Sequence, residues 1–179
     1  MKITIPAWIK LTLITVIAGL LLGCTYMLTK GHIAAQTLKV AEESRKTVFA
    51  SADSFNELEV SETAPVDNCY EAIVSGSLAG YVSTATVKGY GGEIEVTVGV
   101  DLDGMITGVS VGGANFSETA GLGAKTKDAA FTDQYKGLVI PVELTKDGGR
   151  IDSVTGATIS SRAVTNAVNT AVEYILYLF

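Results

Sequence analysis

From Leu11 to Leu28 the chain reads Leu-Thr-Leu-Ile-Thr-Val-Ile-Ala-Gly-Leu-Leu-Leu-Gly-Cys-Thr-Tyr-Met-Leu, without one charged side chain. With Ala7, Trp8 and Ile9 ahead of Lys10, the run is long enough to cross the roughly 30 Å hydrocarbon core of a bilayer, which takes about 20 helical residues. In hydrocarbon every backbone N–H and C=O must bond inside the segment, so a lone apolar span has to be a helix. Lys2 and Lys10 flank its start, and Trp8 and Tyr26 are spaced for the two interfaces. A short basic N-region, one apolar segment and a following domain predict the N-terminus inside and the domain outside the cytoplasm. Lys30, Lys39, Arg45 and Lys46 beyond the far end leave the charge rule itself undecided. Two other fates stay open: a cleaved signal peptide, or a lipoprotein signal, Leu21-Leu22-Gly23-Cys24, that would lipidate Cys24. The expectation adopted is a retained anchor in which Cys24 is a small apolar residue. Gly19 and Gly23 supply a small-residue face for docking other membrane helices, and exposure of the same glycines to lipid is equally compatible.

Behind the span, a chain of 179 residues leaves room for one globular domain. The boundary falls near residue 31, giving an anchor over 1–30 and a domain over 31–179. Nineteen acidic against thirteen basic side chains give a net charge of −6 and a pI near 4.8. That balance argues against nucleic acid and against an anionic lipid surface as the main ligand. A single histidine, His32, excludes a His-rich metal site and argues against a Ser-His-Asp triad. Cys24 and Cys69 form no metal-binding or redox pattern, so redox chemistry would have to come from an organic cofactor or a partner.

Along the domain, Ala34, Leu38, Ala41 and Val48 share one helical face from Gly31 to about Ala52, with Glu42, Glu43, Arg45 and Lys46 on another. Residues 61–68, with Pro65, read as a loop. Strands are expected at Glu71–Ser75, Tyr81–Val87, Glu93–Val100 and Met105–Val111. The third alternates cleanly through Ile94, Val96, Val98 and Val100, and Asp101-Leu-Asp-Gly104 turns it into the fourth. These make an antiparallel sheet with one face buried. Gly112 to Lys127 is rich in glycine and polar groups, which by composition alone is a surface loop. A short helix with Phe131 and Tyr135 on one side follows, then an edge strand over Leu138–Leu144, because Pro141 cannot donate to a ladder. The fold class is therefore α+β: an antiparallel sheet with flanking helices, on an N-terminal transmembrane helix.

The last segment carries the chemistry. Asp152-Ser-Val-Thr155-Gly156-Ala157-Thr158-Ile-Ser160-Ser161 crowds hydroxyls around a Gly-Ala pair just before a helix. Val164, Val168, Ala171, Ile175 and Leu178 form that helix's apolar face, with Asn166, Asn169 and Glu173 opposite. Hydroxyls before a helix are ordinarily N-caps. The same place also suits a phosphate, because unpaired N–H groups and the positive end of the helix dipole meet there. Gly156 and Ala157 leave the backbone bare beside Thr158, so a bulky group can approach.

Asp152-x-x-Thr155-Gly156-Ala157-Thr158 resembles the sequence recognised by flavin transferases, which take FMN from FAD and join its phosphate to the last threonine. Glu118-Thr119-Ala120-Gly121-Leu122-Gly123 is similar to the Glu-Thr-Pro-Gly-Leu-Gly segment of the Rnf G subunit, with Ala120 in place of the usual proline. The Gly89-Tyr90-Gly91-Gly92 turn fits the same family, the FMN-binding domain shared with the C subunit of Na⁺-translocating NADH:quinone oxidoreductase. That quinone-reductase subunit is usually longer, so the chain length favours the Rnf protein. The resemblance covers nearly the whole chain and implies covalent FMN on Thr158. It further implies that Thr155, Gly156, Ala157, Ser160 and Ser161 surround the phosphate. The ring would lie against Glu118, Thr119, Gly121, Leu122 and Gly123, with Asp152 read by the transferase. No acid–base catalyst for a small substrate stands out, as suits an electron relay. The implied partners are the other subunits of a membrane complex coupling ferredoxin:NAD⁺ electron transfer to Na⁺ or H⁺ transport. Two further readings remain: a stand-alone, membrane-anchored extracellular flavoprotein reductase, and an anchored binding domain in which the hydroxyl cluster is only a cap.

Overall fold

The computed structural model describes residues 6–178; Lys2 and Phe179 lie outside them. Helix α1 runs without interruption over Ala7–Val48. An 18-residue window within it has a mean hydropathy of 2.1, and Leu13, Leu20, Leu22, Met27 and Leu28 are all exposed. A helix apolar all round needs lipid or other helices about it. At 42 residues α1 is about twice the length a bilayer requires. The helical stretch expected from Gly31 is thus its continuation. By contacts, residues 1–39 and 40–179 form two units.

In the second unit, strands β1 (Ser54–Leu58), β2 (Asn68–Val74), β3 (Ser77–Lys88), β4 (Glu93–Asp101) and β5 (Ile106–Gly112) form one antiparallel meander in the order β1-β2-β3-β4-β5. The short helix α2 (Ala129–Thr132) and the long helix α3 (Thr158–Tyr177) follow. One face of the sheet carries Ile94, Val96, Val98 and Val100, which pack with Val164, Val168, Ala171, Val172 and Ile175 of α3 in a single core. Cys69 belongs to this core, and burial pushes its thiol up to about 11, so it stays protonated and unreactive near neutral pH.

The opposite face differs from the one-sided sheet expected. The end of α1 covers its middle. Gly99 of β4 and Gly108 of β5 are registered neighbours. A Cβ on Gly99 would meet the Val48 carbonyl oxygen at 2.7 Å, and one on Gly108 would meet the Val48 Cα at 2.9 Å. The pair leaves a bare patch of sheet on which the helix backbone lies. Thr107 Oγ1 donates to the Val48 carbonyl at 2.6 Å, and the Arg45 guanidinium stacks 4.4 Å over the Tyr70 ring.

Three expectations need correction. Residues 138–144 do not form an edge strand; they are irregular apart from a single bridge from Leu144 to Ile151. The Val142 N–H donates to Asn169 Oδ1 and Asn169 Nδ2 donates to the Val142 carbonyl, both at 2.9 Å, so a side chain of α3 takes the place of a neighbouring strand. Asn169 is accordingly half-buried rather than on the solvent face. Leu178 lies past the end of α3 and is 44% exposed, so it is not part of the apolar face.

Candidate functional site

Three loops far apart in sequence meet at the start of α3. The first is the Gly89–Gly92 turn between β3 and β4, closed by the Gly89 N–H on the Gly92 carbonyl at 2.8 Å. The second is the Glu118–Gly123 loop. The third is the turn Val154–Ala157, closed by the Ala157 N–H on the Val154 carbonyl at 2.9 Å, with Gly156 at φ 78°. That torsion is strained for any residue with a Cβ, which explains the glycine.

Glu118 ties the three together. Its Oε1 accepts from the N–H groups of Tyr90 (2.7 Å) and Gly91 (3.0 Å), and its Oε2 accepts from Ser160 Oγ (2.8 Å). The side chain is 8% exposed. It fits because Gly89 and Gly123 stand on either side: a Cβ on either would collide with a Glu118 carboxylate oxygen. Of the two kinds of partner that suit Glu118, a ring edge or neighbouring backbone, backbone amides hold it here. Gly121 has open space around it and a φ of 79°, so its requirement is torsional, whereas that of Gly123 is steric.

Between the loops lies a cavity of about 400 Å³, within the range of small-molecule sites. Tyr90, Leu122 and Ile159 give it apolar side chains, and Glu118, Thr119, Gly123, Gly156, Ala157, Thr158 and Ser160 complete its lining. Thr158 is the first residue of α3 and Ala157 is its N-cap, with no side-chain cap bond. The Thr158 hydroxyl is therefore not a cap; Oγ1 accepts from Lys146 Nζ at 3.1 Å.

The remaining expected residues sit elsewhere. Ser161 is fully buried; its Oγ donates to the Ala157 carbonyl and accepts from the Val154 N–H, clamping the turn from behind. Thr155 is exposed at the turn's corner and, like Gly121, is outside the cavity lining. Asp152 is exposed; its backbone N–H and C=O are both held by the Gln134 amide, at 2.7 and 3.2 Å. The readings from sequence missed Tyr90, Ile159 and Lys146 as neighbours of Thr158. Each stood in a stretch the sequence marks, Tyr90 and Lys146 in turns and Ile159 inside the motif, but nothing local pointed their side chains at Thr158.

The donor set suits FMN. An apolar-walled cavity beside the Thr158 hydroxyl, which the Lys146 ammonium group already bonds, matches a flat, largely apolar ring system with an anionic phosphate. Residues 89–173, which contain the three loops, match the family described as the FMN-binding domain. Across nearly its full length the chain is 34% identical to the G subunit of the ion-translocating oxidoreductase complex of Methanosarcina acetivorans, covering 93% of this chain and 92% of the relative. The chain belongs to this G-subunit family. Other members include the G subunit of the Na⁺-translocating ferredoxin:NAD⁺ oxidoreductase complex of Acetobacterium woodii, 30% identical over 96% of this chain and 91% of that one. The proton-translocating counterpart of Clostridium ljungdahlii is 31% identical over 93% and 88%. The family thus includes members named for either coupling ion at near-equal identity.

Proposed function

We infer that this protein is the FMN-bearing electron-carrier subunit of a membrane ion-translocating ferredoxin:NAD⁺ oxidoreductase complex of the Rnf type, a translocase subunit that is not catalytic alone. The observation that carries the reading is the chain-long match to the G subunits of such complexes, together with an FMN-binding domain that encloses the cavity beside Thr158. Bound FMN would supply the redox chemistry. The chain's own residues bind and orient it: Tyr90, Leu122 and Ile159 as apolar walls, Glu118 as the tie that sets the spacing of the loops. The protein is membrane-anchored through α1, and its partners are the other subunits of the complex.

The finer reading is that FMN is covalent, through a phosphoester on Thr158 Oγ1, installed by a flavin transferase that reads Asp152. Support comes from the Asp152-x-x-Thr155-Gly156-Ala157-Thr158 match and from the position of that hydroxyl at the cavity border, uncommitted to a cap. The division into an anchor over 1–30 and an FMN domain over 31–179, with the domain outside the cytoplasm, belongs to the same proposal. The intact mass of the full chain, purified after co-expression with a flavin transferase, tests it. Wild type should gain one FMN less one water. Thr158→Ala should lose that increment and its denaturation-resistant fluorescence while remaining folded. A fluorescent band from Thr158→Ala on a denaturing gel would make the assignment wrong. Copurification with integral membrane subunits separates this reading from a stand-alone reductase.

A further inference from the structure

We propose that Lys146 is the positioning residue of the attachment site, the cation that holds the phosphate as it is joined to Thr158; this rests on the Thr158 reading above. Lys146 Nζ lies 3.1 Å from Thr158 Oγ1, the atom that would carry the phosphate. Lys146 reaches it from a separate element, the 3-10 turn Thr145–Asp147. Three ties place that turn. Its next residue, Asp147, takes a bidentate grip from Arg162, with Nη2 at 2.8 Å from Oδ1 and Nε at 3.2 Å from Oδ2. Arg162 lies one helical turn beyond Thr158 on α3, so the grip joins the turn to the same helix end. The Thr145 N–H donates to the Ile151 carbonyl at 2.8 Å, and Leu144 bridges Ile151 just before the motif.

The division of charge follows. The carboxylate of Asp147 neutralises Arg162, and the interaction raises the guanidinium pKa. Lys146 has no carboxylate within ion-pair distance among the described residues. Its charge is left facing the threonine oxygen. In the transfer, the bond from Thr158 Oγ1 to the FMN phosphorus of FAD forms and the phosphoanhydride bond to AMP breaks. The hydroxyl proton passes to a base of the transferase, AMP departs, and no electron changes hands. An ammonium group beside this oxygen is placed to pair with the negative oxygens of the incoming phosphoryl group, and afterwards with the anionic phosphodiester.

The test is the rate at which full-length chain in membranes gains the FMN mass increment from a limiting amount of flavin transferase with FAD, for wild type, Lys146→Gln and Lys146→Arg. Lys146→Gln should slow the gain about tenfold, the effect of one charge-assisted hydrogen bond, and Lys146→Arg should recover most of it. Lys146 is exposed, so neither variant should disturb folding. A wild-type rate in Lys146→Gln, or an equal loss in Lys146→Arg, overturns the proposal. Absence of the increment from wild type itself fails the Thr158 reading instead.

Discussion

Glu118 lies in the cavity, yet its measurable contribution is structural. Its two oxygens accept three hydrogen bonds, two from the Gly89–Gly92 turn and one from the first turn of α3, so truncation leaves two backbone amides and a buried hydroxyl without their acceptor. Glu118→Ala should cost about 3 kcal/mol, from the loss of hydrogen bonds to a charged acceptor. Glu118→Gln keeps an oxygen for the amides and should cost about 1 kcal/mol or less. Urea unfolding of the two variants checks the difference, and equal midpoints for Glu118→Ala and wild type would remove Glu118 as the tie. The glycines beside it, Gly89 and Gly123, are the complement of this side chain: the space they leave is occupied by its carboxylate.

At the scale of elements, α3 does two jobs with different faces. Its apolar face forms the core with β4, while Asn169 pairs the Val142 backbone, both N–H and C=O, as a strand neighbour would. Asn169→Leu keeps the volume and removes both bonds to Val142. We expect a loss of about 2 kcal/mol, because a buried N–H and C=O are left unpaired together. Thermal unfolding reads it, and an unchanged midpoint would mean that water serves Val142 equally well. The same substitution should leave the cavity intact, since Asn169 lies beyond the residues lining it.

For the whole molecule, the proposed topology is tested by its sidedness. One apolar helix near the N-terminus anchors the chain, and the charge pattern about it is balanced enough that composition alone does not orient it. The proposed export of the FMN domain predicts that protease added to intact spheroplasts digests residues 40–179. Protection until the membrane is broken would reverse the topology.

The sequence by itself determined the features written in local periodicity. The uncharged run had to be a helix, the alternation through Ile94 to Val100 had to be a strand with that face buried, and the Asp101–Gly104 turn had to send it back as β5. It also put the hydroxyl cluster at the N-terminal end of α3, although the helix begins at Thr158 and takes in Ser160 and Ser161 rather than following them. Such patterns are legible because each reports the burial of one face of one element. Only the tertiary structure decided what has no local signature. Strand β1, Ser-Phe-Asn-Glu-Leu, shows no alternation, being a largely exposed edge held by its register with β2. Residues 138–144 look like a strand, but they join the backbone only at scattered points, Leu138 to Ile106 and Glu143 and Leu144 to residues 150–151, and Val142 is paired by a side chain on α3. Ser161 looks like a phosphate ligand, but burial turned it to the backbone behind the turn. Tyr90 and Lys146 come beside Thr158 because Glu118 and the Asp147–Arg162 pair draw distant segments together, and contacts between distant residues leave no periodic mark in the chain.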